Sequence, residues 1–527
     1  MAGVRFSAFL APLFALAAAL SGCSSLPPRH EQIVSSARSD TGQTPLGVLA
    51  AASLDEAHPG ESGFRLLPTG DFALDGRLAL ARRAALSLDV QYYQLQNDSV
   101  GLQLLRELGE AARRGVHIRL LVDDLYTGGE DALFCSFAAL PNVEVRLFNP
   151  LPARGGSVAS RIVASLHEFS RINLRMHNKL FIADNRFSIS GGRNMAEEYF
   201  MRSSEANFID MDVIAAGPIV REQTQAFDRY WNSSVVYPVQ EVVAAMTPAV
   251  AETASVERFD ELVTAAPPEF LPQTSDPLGR ASVDYELSAG RMALSYAPAQ
   301  LFADTPYKGS LRNPGDTLST VNRSVLEEFA TARSSILIAS PYFIPGKEGM
   351  KFLKAAMARK LRISVLTNGV GATDEQLVYW RYSQYRLEML KLGIRLYEVS
   401  PTLARDVSPF GAFGRSFRRL HAKVAVIDRE RLFIGSMNFD PRSAWSNTES
   451  GLLVDSPQLA NQVADLVDED GNAGIYRLRL AADGETIEWV ARGNDGQEHA
   501  VAEEPDHDWL TRLKLWLIGP LASEELL

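Results

Sequence analysis

The sequence predicts an α/β protein made of two similar domains in tandem, each a mixed sheet flanked by helices, on three observations. A series of features recurs in one order at an offset of about 245 residues. Within each copy, short β-rich runs alternate with amphipathic helical patterns. The same His-x-Lys-x4-Asp spacing stands at matched positions of both copies. The size agrees: 527 residues exceed one ordinary core, and 46% hydrophobic with 22% charged residues are globular proportions that exclude disordered and fibrous classes.

The chain opens with an export signature. Arg5 precedes an apolar run from Phe6 to Leu20, short of the roughly 20 residues that a membrane-crossing helix needs. Leu20-Ser21-Gly22-Cys23 follows and resembles the bacterial lipobox. The resemblance implies a lipoprotein signal peptide over 1–22 and lipidation at Cys23; an uncleaved short anchor is the alternative. With Ser24 rather than Asp next, retention at the inner membrane is not signalled. The expected place is the bacterial cell envelope, lipid-anchored and facing the periplasm, with Ser24 leaning towards the outer membrane. Residues 23–62, rich in Ser, Pro, Gly and Gln, read as a tether. Lipidation leaves Cys135 alone between Phe134 and Phe137, where it reads as a small buried hydrophobe. Two cysteines exclude a disulfide scaffold and a Cys-based zinc module.

The first domain is expected over 63–236. A helical pattern at 73–85 leads into the β-rich Leu86–Tyr93, and Val100–Arg114 places Leu102, Leu105, Leu108 and Ala112 on one side before Gly115 closes it. His117–Val122 and Val143–Phe148 read as the next strands. The second domain, over 316–455, answers with Val321–Arg333, Ser335–Phe343, Arg362–Thr367 and Ile394–Glu398, and with helical patterns at Met350–Arg359 and Glu375–Leu392. Between them, 237–315 carries Pro267, Pro268, Pro272 and Pro277 with little periodicity and reads as an inter-domain excursion, partly ordered against the site. Over 456–527, Ile475–Leu480 and Glu485–Val490 flank Asp483-Gly484 as a hairpin. The last apolar segment, Trp509–Ile518 with Arg512 and Lys514, suits a helix in the membrane interface; a buried docking helix is the alternative.

The chemistry concentrates in the repeated motif. His177-Asn178-Lys179 runs to Asp184, and His421-Ala422-Lys423 runs to Asp428. Each continues into a Gly turn, Gly191-Gly192-Arg193-Asn194 and Gly435-Ser436-Met437-Asn438. On a strand, residues i and i+2 share a face, so His177 and Lys179 project together. Such a pair is costly unless an anion sits between its members, and a phosphate diester is the natural occupant. Lysine supplies a point charge, and Asn194 and Asn438 can add neutral donors. One copy alone would be ordinary surface strand, but the chain has only 8 His and two of them fall at the matched positions. Asp184 and Asp428, at the strand ends, read as structural supports more than reactants. Gly192 stands where Ser436 stands in the second copy, so the halves are not equivalent.

On these motifs the chain resembles the phospholipase D superfamily, and bacterial cardiolipin synthases of the C type in particular. Asp89-Val-Gln-Tyr-Tyr93, Phe227-Asp-Arg-Tyr-Trp231, Ser340-Pro-Tyr-Phe343 and Gly435-Ser-Met-Asn-Phe-Asp-Pro-Arg442 carry the likeness, which extends over about 63–454. The resemblance implies two α/β domains related by a pseudo-twofold, with one shared active site. It implies phosphatidyl transfer through a phosphohistidine on His177, with His421 as acid and base and Lys179 and Lys423 stabilising the transition state. It also implies an acidic residue past each Gly-Asn turn that orients the imidazole. That residue is Asp210 in the first half, with Asp212 in reserve, and Glu449 in the second. No metal and no cofactor are expected. The expected partners are membrane phospholipids, with cardiolipin made from phosphatidylglycerol and a second phospholipid. A phosphodiesterase that hydrolyses phospholipid, less so nucleic acid, is the alternative. A non-catalytic envelope lipoprotein is a third reading, against which two complete motifs count. The net charge of −12 makes nucleic acid an unexpected partner, and no residue pattern names an accessory protein.

Overall fold

The computed structural model describes residues 26–28, 34–54, 57–265, 274–308, 320–403, 417–467, 474–493, 497–506 and 509–521. The expected signal peptide and Cys23 lie outside the described residues. Among the described residues the first domain contributes β1 (Ser62–Leu67), β2 (Ser87–Tyr92), β3 (His117–Asp123), β4 (Val143–Phe148), β5 (Leu180–Ala183), β6 (Phe187–Gly191), β7 (Ala206–Ile209), β8 (Asp212–Ala216), β9 (Val236–Pro238) and β10 (Ser295–Ala297). All but β7 form one sheet, ordered β10-β1-β8-β6-β5-β2-β3-β4-β9. The second contributes β11 (Ala299–Ala303), β12 (Ser335–Ala339), β13 (Arg362–Asn368), β14 (Arg395–Val399), β15 (Phe417–Leu420), β16 (Val424–Ile427), β17 (Arg431–Gly435), β18 (Ser450–Val454), β19 (Ile475–Leu480), β20 (Ile487–Arg492) and β21 (Glu498–Val501). All but β15 form the second sheet, ordered β11-β18-β17-β16-β12-β13-β14-β19-β20-β21.

The duplication is thus a duplication of topology. The run β1-β8-β6-β5-β2-β3-β4-β9 matches β11-β18-β17-β16-β12-β13-β14-β19, with β2, β3, β4 and β12, β13, β14 as the parallel strands. Parallel strands covered on both faces require near-continuous apolar runs, which Ile118, Leu120, Leu121 and Val122 supply. The helix Ser99–Arg113 begins where the Asp98 carboxylate accepts from the Val100 and Gly101 N–H groups. It buries Leu104, Leu105 and Leu108, and its exit bends at Gly115 with φ 97°.

The two sheets share a core. Phe64, Leu180, Val213, Phe227 and Trp231 of the first domain pack in one buried cluster with Ala339, Val424, Leu432, Leu452 and Val454 of the second. An apolar, fully buried boundary of this kind behaves as a domain interior rather than as a sliding contact.

Three boundaries differ from the sequence reading. The stretch expected to be a tether contains the helix Pro45–Ser53, capped by the Thr44 hydroxyl, and it buries Leu46 and Ala50 in the first core. Upstream of it, the Ser35 N–H donates to Asn232 Oδ1 and the Trp231 indole donates to Ser35 Oγ. The proline-rich excursion, expected to be ordered only in part, is ordered over all its described parts. Short helices at Val239–Met246, Val256–Thr264 and Val283–Ser288 bury Val242, Phe259 and Val283 in the first core. They are too short to display a helical period in sequence. The same stretch supplies β10 to the first sheet and β11 to the second, so the second domain begins at Ala299 rather than at 316. At the C-terminus the hairpin β19–β20 extends the second sheet, and the helix Trp509–Ile518 lies beside the helix Gln376–Ser383 with Trp509, Leu513, Trp516 and Leu517 exposed. Cys135 is buried in the helix Asp131–Phe137, where burial pushes its thiol up to about 12.

Candidate active site

The motif histidines sit just before β5 and β16, not on them, and each is drawn towards the other domain by backbone pairing. β7 and β15 form a two-stranded parallel sheet with one strand from each domain. Immediately after it, the N–H groups of His421 and Ala422 both donate to the Ile209 carbonyl, at 2.7 and 3.0 Å. The symmetry-related contact is a bridge between Met176 and Thr448. There the His177 N–H donates to the Thr448 carbonyl at 2.9 Å, and the Thr448 N–H donates to the Arg175 carbonyl at 2.9 Å.

This exchange decides which of the two expected carboxylates each histidine meets. Glu449 of the second domain accepts from Nδ1 of His177 of the first, at 3.0 and 3.1 Å. Asp210 of the first domain accepts from Nδ1 of His421 of the second, at 2.7 Å. β15, which leads into His421, runs beside β7, which leads into Asp210, and the Met176–Thr448 bridge likewise sets the approach to His177 beside the approach to Glu449. Asp212, held in reserve by the sequence reading, pairs instead with Arg77 at 2.9 Å and Arg193 at 3.5 Å.

The Gly192–Ser436 difference follows from the two carboxylates. A Cβ at Gly192 would lie 2.0 Å from Asp210 Oδ1, so the shorter acid occupies the space that a serine would need. In the second half the longer Glu449 leaves that space, and Ser436 Oγ donates to Oε2 while Ser443 Oγ donates to Oε1 at 2.8 Å.

Two further side chains, which the sequence reading missed, hold Glu449. Asp304 Oδ2 accepts from the Glu449 N–H at 3.0 Å and from Lys308 Nζ at 2.9 Å. Lys308 Nζ also donates to the Ser443 carbonyl at 2.6 Å. Both lie in the aperiodic stretch before 316, where no local pattern marks them. The motif aspartates act at a distance from the imidazoles. Asp184 accepts from the N–H groups of Ala85, Leu86 and Ser87, and Asp428 from those of Arg333, Ser334 and Ser335. Each therefore fastens the turn after a motif strand to the start of β2 or β12.

Electrostatics set the protonation states. Burial, which the Glu449 charge only partly offsets, lowers His177 to about 4. Burial and then the Lys423 charge lower His421 to about 4, against the pull of Asp210. Burial also takes Lys423 down to about 8 and Lys179 well below 10.5. Burial, the largest influence, would raise both carboxyls, but the facing imidazole and the neighbouring cations together outweigh it, holding Asp210 at about 2 through His421, Lys423 and Arg193 and Glu449 below its ordinary value through His177, Lys179 and Lys308. At neutral pH each imidazole is therefore neutral and donates its Nδ1–H to an ionised carboxylate, which leaves Nε2 as the basic nitrogen; at His421, Lys423 Nζ lies 3.1 Å from Nε2 and 2.9 Å from Nδ1. Each motif lysine donates to the carbonyl of its own histidine, two residues back.

Both histidines line one cavity of about 1010 Å³. Tyr93 stands edge-on to His177 with centroids 5.0 Å apart, and Tyr199 edge-on to His421 at 4.9 Å. Asn194 and Asn438 reach the same cavity; Asn194 Nδ2 donates to the Tyr199 hydroxyl at 2.9 Å. The Oδ1 atoms of both asparagines are buried without a hydrogen-bond partner among the described residues, which suits them to polar groups of a substrate. Arg419 and Arg442 also line it, beside Glu198, Glu205, Asp374 and Glu375. Among the described residues no cluster of three or more His, Cys, Asp and Glu is arranged to hold a metal ion.

Comparison with known proteins shows the family and the fold. The family model described as "Cardiolipin synthase, PLD-like domain" matches residues 78–231 and 325–470, one span in each domain. The chain is 34% identical to cardiolipin synthase C of Escherichia coli (strain K12) over 91% of its length and 99% of the relative's. It is 25% identical to cardiolipin synthase A of Pseudomonas fluorescens over 77% of its length and 68% of the relative's. Its fold is similar to the crystal structure of phosphatidylserine synthase from Haemophilus influenzae Rd KW20, with a TM-score of 0.56 at 13% identity, covering 90% of this chain and 95% of that one.

Two measurements test this site. Glu449→Gln is expected to shift the ring nitrogen resonances of His177 and leave those of His421 in place, with Asp210→Asn doing the reverse; the opposite pattern would overturn the crossed pairing. An anion bound among these groups favours their charged forms and so raises the pKa values that burial has lowered. Between the lowered and the raised values, binding must take up protons. Tungstate or inorganic phosphate bound near pH 7 is therefore expected to take up about one proton, measured by calorimetry in buffers of different ionisation enthalpy. Zero uptake would leave the site without a general acid.

Proposed function

The chain belongs to the family of cardiolipin synthases with phospholipase D-like domains, and from that premise we propose that it is a phosphatidyltransferase that makes cardiolipin. One observation carries the reading: two neutral imidazoles, each held through Nδ1 by a buried carboxylate of the opposite domain, face one cavity beside two buried lysines.

Nε2 of His177 attacks the phosphorus of a phospholipid diester, and the P–O bond to the leaving alcohol breaks. His421, protonated in the complex with the anion, gives its Nε2 proton to the departing alkoxide oxygen. The resulting phosphatidyl-His177 is attacked by a second alcohol, whose proton returns to His421 as the P–N bond breaks. Lys179 and Lys423 supply positive charge where the phosphoryl oxygens gain negative charge, and the ionised Glu449 stabilises the His177 ring as it becomes cationic. The cycle uses groups of this chain alone.

The acceptor is the hydroxyl of a phosphatidylglycerol headgroup. At a bilayer such headgroups are concentrated relative to any soluble alcohol, which favours transfer over hydrolysis. The carboxylates that line the cavity suit a single phosphate held at its base and disfavour an extended polyanion. Phosphatidylglycerol and phosphatidylethanolamine both qualify as donors, because only the diester phosphate has to meet the imidazoles.

Purified enzyme in mixed phospholipid vesicles is expected to form cardiolipin as its main product, with phosphatidic acid minor, by mass analysis of the lipids. If phosphatidic acid dominates at high phosphatidylglycerol, the protein is a hydrolase. In the same assay His177→Ala and His421→Ala each abolish turnover, and His421→Asn accumulates a phosphatidyl adduct on residue 177. An adduct only on residue 421 in the reciprocal variant would exchange the two roles. We also propose that the chain is anchored in the cell envelope through lipid on Cys23. Labelled fatty acid should enter the wild type and not Cys23→Ser; equal labelling of both would refute the anchor.

A further inference from the structure

We infer that the C-terminal helix Trp509–Ile518 is a membrane-docking element that seats the cavity's outer wall against a phospholipid surface. This rests on the phosphatidyltransferase reading, because it takes a bilayer lipid as the substrate.

The helix shows an unpartnered apolar face. Trp509, Leu513, Trp516 and Leu517 fall at i, i+4, i+7 and i+8, within one side of a helix. They are 70%, 43%, 72% and 56% exposed. Large apolar residues this exposed are unremarkable singly, but four on one stripe are not. The protein side of the helix is distinct: Leu515 packs against the second domain's core.

Three features select a bilayer as the occupant. The helix carries Arg512 and Lys514 and no carboxylate, in a chain of net charge −12, so its charge complements anionic headgroups. Tryptophan at both ends of an apolar stripe suits the headgroup boundary, where an indole has one apolar and one wet side. The helix is also attached to the cavity. Gly519, just past its end, lies so close to the ring of Trp380 that a Cβ there would come within 2.4 Å of it. Trp380 belongs to the helix Gln376–Ser383, whose Val378 lines the cavity, as does Glu375 just before it. The segment before the C-terminal helix is fixed to the same domain. Ser400 Oγ and Thr402 Oγ1 each donate to the Asp506 carboxylate at 2.6 Å, and Arg386 Nη1 donates to Glu504 at 2.6 Å. A lipid surface meeting the apolar face is thereby held beside the mouth through which a headgroup enters. Among the described residues no helix is long and apolar enough to cross a membrane, so this one would lie in the interface.

The test uses the full chain and the variant Leu513→Asp/Leu517→Asp, which keeps both tryptophans and alters only exposed positions. Transfer on phosphatidylglycerol vesicles is expected to fall roughly tenfold, while turnover of a short-chain phosphatidylglycerol dispersed as monomers is unchanged. Equal rates on vesicles would overturn the inference. So would an equal loss on both substrates, which would mean a damaged cavity wall. Tryptophan quenching by brominated phosphatidylglycerol in vesicles should be strong in the wild type and weaker in the variant. Quenching equal in both, or a change in sedimentation in place of quenching, would assign the face elsewhere, to a second copy in the latter case. If the wild type turns over neither substrate but the quenching difference is present, the docking surface stands and the phosphatidyltransferase reading falls.

Discussion

Everything at this site depends on a backbone exchange between the two domains. A neutral imidazole is useful as a nucleophile or acid only when a hydrogen bond fixes its tautomer and ring direction. Here both such bonds come from the opposite domain, after segments that pair across the boundary at β7–β15 and at Met176–Thr448. Neither half contains a complete histidine–carboxylate pair. The shared apolar cluster beneath the site fixes the two sheets relative to each other, and with them the approach of His177 and His421 to one cavity.

The pseudo-symmetry is broken where chemistry would require it. On the His421 side the acid is short, Asp210, and its carboxylate fills the place of a side chain at residue 192. On the His177 side the acid is longer and more heavily held, by Ser436, Ser443 and the backbone contact to Asp304. A carboxylate with several donors has little freedom to move or to accept a proton, which suits the partner of the proposed nucleophile His177. The Glu-for-Asp and Ser-for-Gly differences are thus one coupled change.

Burying two lysines beside two histidines would be unfavourable in an empty apolar interior. Glu449 and Asp210 offset part of this cost, and the histidine carbonyls accept from the ammonium groups. The remaining positive character lies behind His177 and His421, which line the cavity, and the proposed diester phosphate would offset it there. The lowered pKa values and the expected ligand are therefore two consequences of the same arrangement.

The sequence by itself determined the duplication, the strands of both sheets' centres, the C-terminal hairpin, and the matched histidines, lysines and supporting aspartates, while the resemblance to a known family pointed to the carboxylates. These are local signals: alternation, helical period and fixed spacing act within a few residues of chain. Three things lay beyond it. The short helices at 239–288 and the helix Pro45–Ser53 carry no readable period. Asp304 and Lys308 sit in that same aperiodic region, yet they brace the acid beside His177. The pairing of each histidine with its acid joins residues 272 and 211 positions apart. Spacing along one domain could only suggest a partner from the same half. The choice was made by the packing of one sheet on the other, because that alone decides which strand ends lie side by side.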